Sequence, residues 1–186
     1  MSTSALTAIP KPLPLYMKAA RSATRKPRGV PEIPPLSTSI RGQRVDAQNL
    51  EAYNKICGFT PAETLPITYP QIIAAPLHIH LMTQKDFPLP LLGIVHVRNL
   101  IEQGRPLRAD ESFDIQVRLG DSRTVRAGLE FDLHTEFTGD GTPAFAWRAV
   151  TTVLYRIGKP DKKAKPPAAP LSQLAQFRYT EGLNQI

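Results

Sequence analysis

The chain has 186 residues, 41% hydrophobic and 21% charged, a composition that fills one globular core and excludes disorder throughout. Its richest apolar stretch, Ile72 to Leu81, is cut by Pro76, His78 and His80, short of the roughly 18 uninterrupted apolar residues a membrane span needs, so no membrane span is expected. The net charge of +7 lies in the ends, since residues 1–45 hold eight Lys/Arg against one acid and 158–186 five against two, while 46–157 hold ten against thirteen; that excludes the basic folded face of a nucleic-acid binder.

Residues 1–35 read as a basic tail. Seven of the 19 prolines fall in residues 1–45, a density that keeps interrupting helices and strands. Residues 1–12 are expected to be disordered. Leu15 to Arg25 is expected to form one short helix, with Leu15, Lys18, Ala19 and Ser22 leaving one face apolar and the other basic. Rich in Arg, poor in acids and containing Ser, this stretch also resembles a mitochondrial transit peptide, the alternative to a cytoplasmic location.

A single domain is expected over residues 36–157. Ser39 to Val45 reads as its first strand. Asp46 then caps a helix running through Ile56 and ended by Gly58, with Leu50, Tyr53 and Ile56 or Cys57 as its apolar stripe. Cys57 is the one cysteine; it rules out an intrachain disulfide and reads as a buried thiol in a reducing compartment. Ala74 to Gln84 reads as a second helix with Pro76 in its first turn. Leu92 to Ile101 is apolar on both faces at its start, as a central strand would be.

Strict alternation marks three further strands. Phe113, Ile115, Val117 and Leu119 share one side, then Leu129, Phe131, Leu133, Thr135 and Phe137. After a turn signal at Thr138-Gly-Asp-Gly-Thr142 come Phe145, Trp147, Ala149, Thr151, Val153, Tyr155 and Ile157. The connections after Phe113 are too short to hold a helix, so the helices upstream must cover the apolar face. The expected class is α+β, an antiparallel sheet packed against one or two helices. Residues 158–186, Pro- and Lys-rich at their start, read as a linker and a short remnant.

Candidate chemistry is sparse. On a helix, His78 and His80 point about 200° apart and cannot chelate one metal, and no third ligand joins them, so no metal site is expected. His134, between Asp132 and Glu136 on a wet strand face, reads as solvated. His96 shares a side with Ile94 and Arg98 in a regular strand and reads as a half-buried structural residue. No phosphate loop, nucleophile elbow or dinucleotide fingerprint occurs.

The runs Ala52-Tyr53, Cys57-Gly58-Phe59, Leu65-Pro-Ile-Thr-Tyr-Pro70, Pro76-Leu77-His78, Leu81-Met82-Thr83, Phe87-Pro88, Leu91-Leu-Gly-Ile-Val-His-Val-Arg-Asn99 and Arg105-Pro106-Leu107 carry a resemblance. In order and spacing they are similar to the N-terminal half of two-domain MaoC-like acyl dehydratases, across roughly residues 36–157. The resemblance implies a hot-dog fold, in which a long antiparallel sheet wraps a helix, and a family that hydrates trans-2-enoyl thioesters of coenzyme A or runs the reverse dehydration. That chemistry needs an Asp and a His to activate water and a backbone N–H to hold the thioester oxygen.

The family places the pair in its other hot dog as Asp-x-Asn-Pro-x-His. Here the residues five before His78, His80, His96 and His134 are Ile73, Ala75, Leu91 and Leu129; none is acidic. The resemblance therefore implies a non-catalytic, thioester-binding half with no catalytic residue and no cofactor of its own. Its pocket residues would be Tyr69, His80, His96 and Asn99. Arg98 and Arg105 are the candidates to meet coenzyme A phosphates, unless ion pairs with acids hold them. The partner implied is a second copy or a catalytic hot dog, with an acyl-CoA or related thioester as ligand. Two alternatives stay open: a self-sufficient hot-dog thioesterase or hydratase with an unidentified carboxylate, and an inactive truncated gene product.

Overall fold

The computed structural model describes residues 2–25, 27, 29–139 and 145–157. In chain order these form β1 (Ser2–Leu6), α1 (Pro12–Ser22), β2 (Leu36–Arg44), α2 (Ala47–Cys57), α3 (Tyr69–Met82), β3 (Ile94–Gln103), β4 (Ser112–Val125), β5 (Gly128–Gly139) and β6 (Phe145–Arg156). One sheet runs β1-β2-β4-β5-β6-β3. Its neighbours are antiparallel except β1, which lies parallel to β2. The expected α+β class and the sheet-on-helix layering of a hot dog are both present.

Burial follows the alternation. Ile115 and Val117 of β4, Phe131, Leu133 and Phe137 of β5, and Trp147 and Ala149 of β6 turn inward and pack with Ala74, Leu77 and Leu81 of α3 in one core. Phe137 sits between Phe113 and Trp147, with ring centroids 5.9 and 5.3 Å away. Each such side chain removed from water contributes about 1.5–3 kcal/mol, which holds α3 across the sheet. Between β4 and β5 only Arg126 and Ala127 intervene, and Gly128 closes the turn at φ 145°. A Cβ there would stand 2.1 Å from the Tyr155 carbonyl oxygen, so the backbones meet only because the residue is glycine.

Several expectations need correction. Residues 1–12 are not disordered throughout: β1 pairs with β2 over Ser2–Leu6, because the Leu36–Ile40 edge still had free backbone groups to satisfy. The first helix spans Pro12–Ser22 rather than Leu15–Arg25. It uses Pro12 in its first turn and buries Leu15, Ala19 and Ser22, while Lys18 stays exposed. On α2 the Asp46 cap and the Gly58 stop are found, the carboxylate accepting from Gln48 and Asn49 N–H at 2.9 and 3.1 Å. The inward residues there are Leu50 and Asn54, however; Ile56 is 83% exposed and Cys57 is exposed too, so the thiol is not buried.

The second expected helix begins five residues early, at Tyr69, so Pro76 stands mid-helix instead of in the first turn. Pro70 already occupies that first turn, and Pro76 removes one hydrogen bond from the helix interior. The largest correction concerns β3, which is the edge strand beyond β6 and exposed along most of its length, not central. Apolarity on both faces misled because a strand that lacks a neighbour shows the same pattern as one buried between two. The turn at 138–142 lies mostly outside the described residues, as do the linker and remnant over 158–186.

Candidate functional site

Two threonines interrupt the apolar inner rows of β5 and β6, and each takes a polar residue of α3. His78 Nε2 and Thr135 Oγ1 share a hydrogen bond of 2.7 Å. Gln71 Nε2 donates to Thr151 Oγ1 at 3.2 Å, and the Thr151 hydroxyl donates to Asn99 Oδ1 at 2.9 Å. Gln71 and His78 are seven residues apart, two helical turns, so they lie on one face of α3. The N-terminal end of the helix is fixed further by Trp147 Nε1, which donates to the Ile67 carbonyl at 2.8 Å. Together these place a polar chain from α3 through β6 to the sheet edge.

A register shift between His96 and Arg98 sets what that edge presents. His96 opposes Val153 and Asn99 opposes Thr151, both on the inner side, while Arg98 opposes Thr152 on the outer side. His96 and Arg98 therefore do not share a face as a regular strand would require; the extra residue, Val97, turns them apart. His96 is exposed rather than half-buried, and its Nε2–H donates to the Arg98 carbonyl at 3.1 Å. Its imidazole is close enough to join burial in lowering the His78 pKa to about 4, burial being the larger cause. Gln71, His78, His96 and Asn99 thus form the candidate site.

The other expected site residues lie apart. Tyr69 begins α3, is buried, and turns its ring toward Tyr53, 5.1 Å between centroids; burial first and Asp46 second raise its pKa. His80 is half-buried on the far side of α3, where burial and then Lys18 of α1 lower its pKa. Arg98 pairs with Glu130 at 3.5 Å on the outer face, in a network where Arg123 holds Glu130 and Asp132 at 2.9 and 2.8 Å. Burial pushes the Asp132 carboxyl up, but hydrogen bonds from Arg123 and Thr152 and the charges of Arg123 and Arg98 outweigh it and bring it down. Arg105 donates to both oxygens of Glu111 at 2.9 and 2.7 Å, so that hydrogen bonding lowers the Glu111 pKa and raises its own. Both arginines are held by acids.

His134 is half-buried rather than simply solvated, and its ring lies over Gly120, where a Cβ would come within 2.3 Å of Nε2. Gln71 and Thr151 were not singled out from the sequence as site residues. The signal was there: a threonine inside each of two apolar rows marks a polar partner on the covering helix. One group in the site is unsatisfied. Gln71 Oε1 is buried without a hydrogen-bond partner, an unusual condition for a buried acceptor. Among the described residues no carboxylate hydrogen-bonds a histidine, and no group of His, Cys, Asp and Glu has the arrangement to hold a metal ion. Nor is any described helix long and apolar enough to cross a membrane.

No protein-family model matches the chain. A curated protein of Mycobacterium tuberculosis, 3-hydroxyacyl-thioester dehydratase X, is 31% identical over 173 residues, covering 87% of this chain and 61% of its own length. A crystal structure of HtdX from the same organism superposes with a TM-score of 0.60 at 31% identity, over 64% of this chain and 51% of that one. The truncated HadBC complex of M. tuberculosis, a (3R)-hydroxyacyl-ACP dehydratase, gives a TM-score of 0.54 at 15% identity over 67% and 98% of the two chains, a likeness of fold. The chain spans less than two thirds of the curated relative it matches.

Proposed function

Because this chain resembles, in sequence and fold, a hot-dog half of the MaoC-like acyl dehydratases, we propose that it is the non-catalytic, thioester-binding half of such an enzyme and works beside a catalytic hot dog. The observation that carries this reading is the open edge of β3, lined by exposed Val95, Val97 and Leu100, next to a polar chain that ends in an unpaired acceptor on Gln71. A site left open at a sheet edge is completed by the element that pairs with that edge. Gln71 Oε1 is covered at the helix end of that chain, so it would accept an amide N–H, such as those in the pantetheine arm of an acyl thioester, only once its side chain turns toward the ligand, while Asn99 forms the end of the chain at the edge strand.

The chemistry this chain does not supply is the general base. Each histidine lacks a carboxylate five residues before it, and His78, neutral and locked to Thr135, has no route to a water on a substrate. Losing base catalysis lowers the rate of water attack by roughly 10²–10⁴-fold. Crotonyl-CoA is therefore expected to stay unhydrated with the chain alone, and to be hydrated when a hot-dog subunit bearing Asp-x-Asn-Pro-x-His is added. Calorimetry of an acyl-CoA with the mixed assembly should show weaker binding for Gln71→Leu. Turnover by the chain alone that disappears in His96→Ala or His78→Ala would overturn the reading.

A further inference from the structure

We infer that a hollow beside α2, well away from the β3 edge, is a binding site for a small apolar amine held as its ammonium ion. This goes beyond the thioester reading and does not depend on it. Two buried side-chain acceptors lack a hydrogen-bond partner among the described residues, Gln71 Oε1 and Asn54 Oδ1, and a buried group left so is rare enough to ask what satisfies it. Gln71 belongs to the site already described. Asn54, only 7% exposed, lines a separate hollow of about 170 Å³.

The hollow has the make-up of a small-molecule site, apolar walls with few polar groups. Helix α2 presents Ala47, Leu50, Glu51 and Asn54 to it, positions i, i+3, i+4 and i+7 and therefore one helical face. Leu50 and Asn54 are its buried floor; Val45, just past β2, and Ala109, ahead of β4, are half-buried in its wall, and the loop residues Pro61 and Ala62 stand exposed at its rim. An apolar cavity of about 150 Å³ holds benzene, which sets the size of the occupant. In the sheet β4 lies three strands from β3 and β2 lies four, about 14 and 19 Å at roughly 4.8 Å per strand, so this is not the site at the β3 edge.

The polar groups of the lining select the occupant. Glu51 is its one charged residue and has no ion pair among the described residues. The cations nearest in sequence, Arg44, Lys55 and Arg108, are not part of the lining, and Arg108 is held by Glu63 and Asp110 at 3.1 and 3.0 Å. What the hollow leaves unpaired is thus a carboxylate and an amide oxygen, both acceptors, three residues apart on one face of α2. An ammonium group brings three N–H donors and a positive charge, enough for both, while its hydrocarbon part rests on Leu50, Val45 and Ala109. An anion would meet Glu51 with like charge, and an alcohol has one donor for two acceptors. Asn54 Oδ1 is covered as it stands, so the carboxamide must turn about its Cβ–Cγ bond to meet the donor.

The test titrates benzylamine, benzyl alcohol and benzoate into the full chain, with labelled Leu and Ala methyl groups followed by NMR. Benzylamine should shift the Leu50 and Ala62 methyls saturably and bind about tenfold more tightly than benzyl alcohol, while benzoate should leave them unmoved. Glu51→Gln should remove the advantage of the amine over the alcohol. Asn54→Leu should weaken both without lowering Tm, since it takes away an unsatisfied buried group. Ala62→Trp, a change at an exposed rim position, should close the hollow to both ligands and keeps the test decisive if Asn54→Leu does not fold. Leu50 and Ala62 methyls unmoved by benzylamine, an alcohol or benzoate bound as tightly as the amine, or amine binding indifferent to Glu51→Gln and Ala62→Trp would each overturn the assignment.

Discussion

His78 is shut between α3 and β5, where a proton has no solvent to stabilise it. Its pKa drops from the ordinary 6.5 to about 4, so the folded protein keeps it neutral while the unfolded chain protonates it near 6.5. The depressed value means its contribution is whole above pH 6.5 and is lost as pH falls through about 4; the difference is about 3 kcal/mol. Urea unfolding at successive pH values should show that decline, and H78L/T135V, which removes both hydrogen-bonding groups together, should flatten it with little change at neutral pH. A second residue-scale expectation concerns Gly128→Ala. The new Cβ would meet backbone atoms rather than a flexible side chain, so a loss of more than about 1 kcal/mol is expected in thermal unfolding. At this scale the sequence pointed to His96 and Asn99 but mistook their company, since the extra residue at Val97 moves Arg98 to the other face and no alternation rule signals a bulge.

Elements defined by their own periodicity were the legible ones. The strands at Phe113, Leu129 and Phe145, and α2 between Asp46 and Gly58, follow from alternation and from a cap and a stop that act locally. Those defined by distant partners were not: β1 is polar and short and exists through its pairing with β2, and α1 is held by buried Leu15 and Ala19, by Ser22 Oγ accepting from Leu91 N–H, and by Arg25, which reaches across to the end of α3. Arg25→Ala removes a charged donor from four carbonyls and is expected to lower stability by about 2 kcal/mol. Deleting residues 2–25 should do more, because Leu15 and Ala19 leave the core as well; a denaturant midpoint unchanged by either would show that the N-terminal elements merely rest on the domain. The basic, proline-rich composition that read as a tail describes the exposed side of this segment and says nothing of the side that is buried.

For the molecule as a whole, the arrangement of faces matters more than any residue. The hot-dog layering was legible because one helix and a meander of one-sided strands leave few ways to close a core. The place of β3 was not, since its pattern fits an edge as well as a centre. With that edge open, the full chain is expected to associate through β3, and Val97→Lys, a charge on an edge strand, should shift sedimentation toward the monomer across a hundredfold concentration range. The opposite edge is of another kind. It ends in β1, five residues of Ser, Thr, Ala and Leu laid parallel to β2, too short and too polar to recruit a long neighbour. One adhesive rim and one blunt rim would make growth self-limiting: if two sheets join rim to rim about a two-fold axis, a third finds nowhere to add, so assembly through this strand would stop at a closed pair and not run on to a fibre.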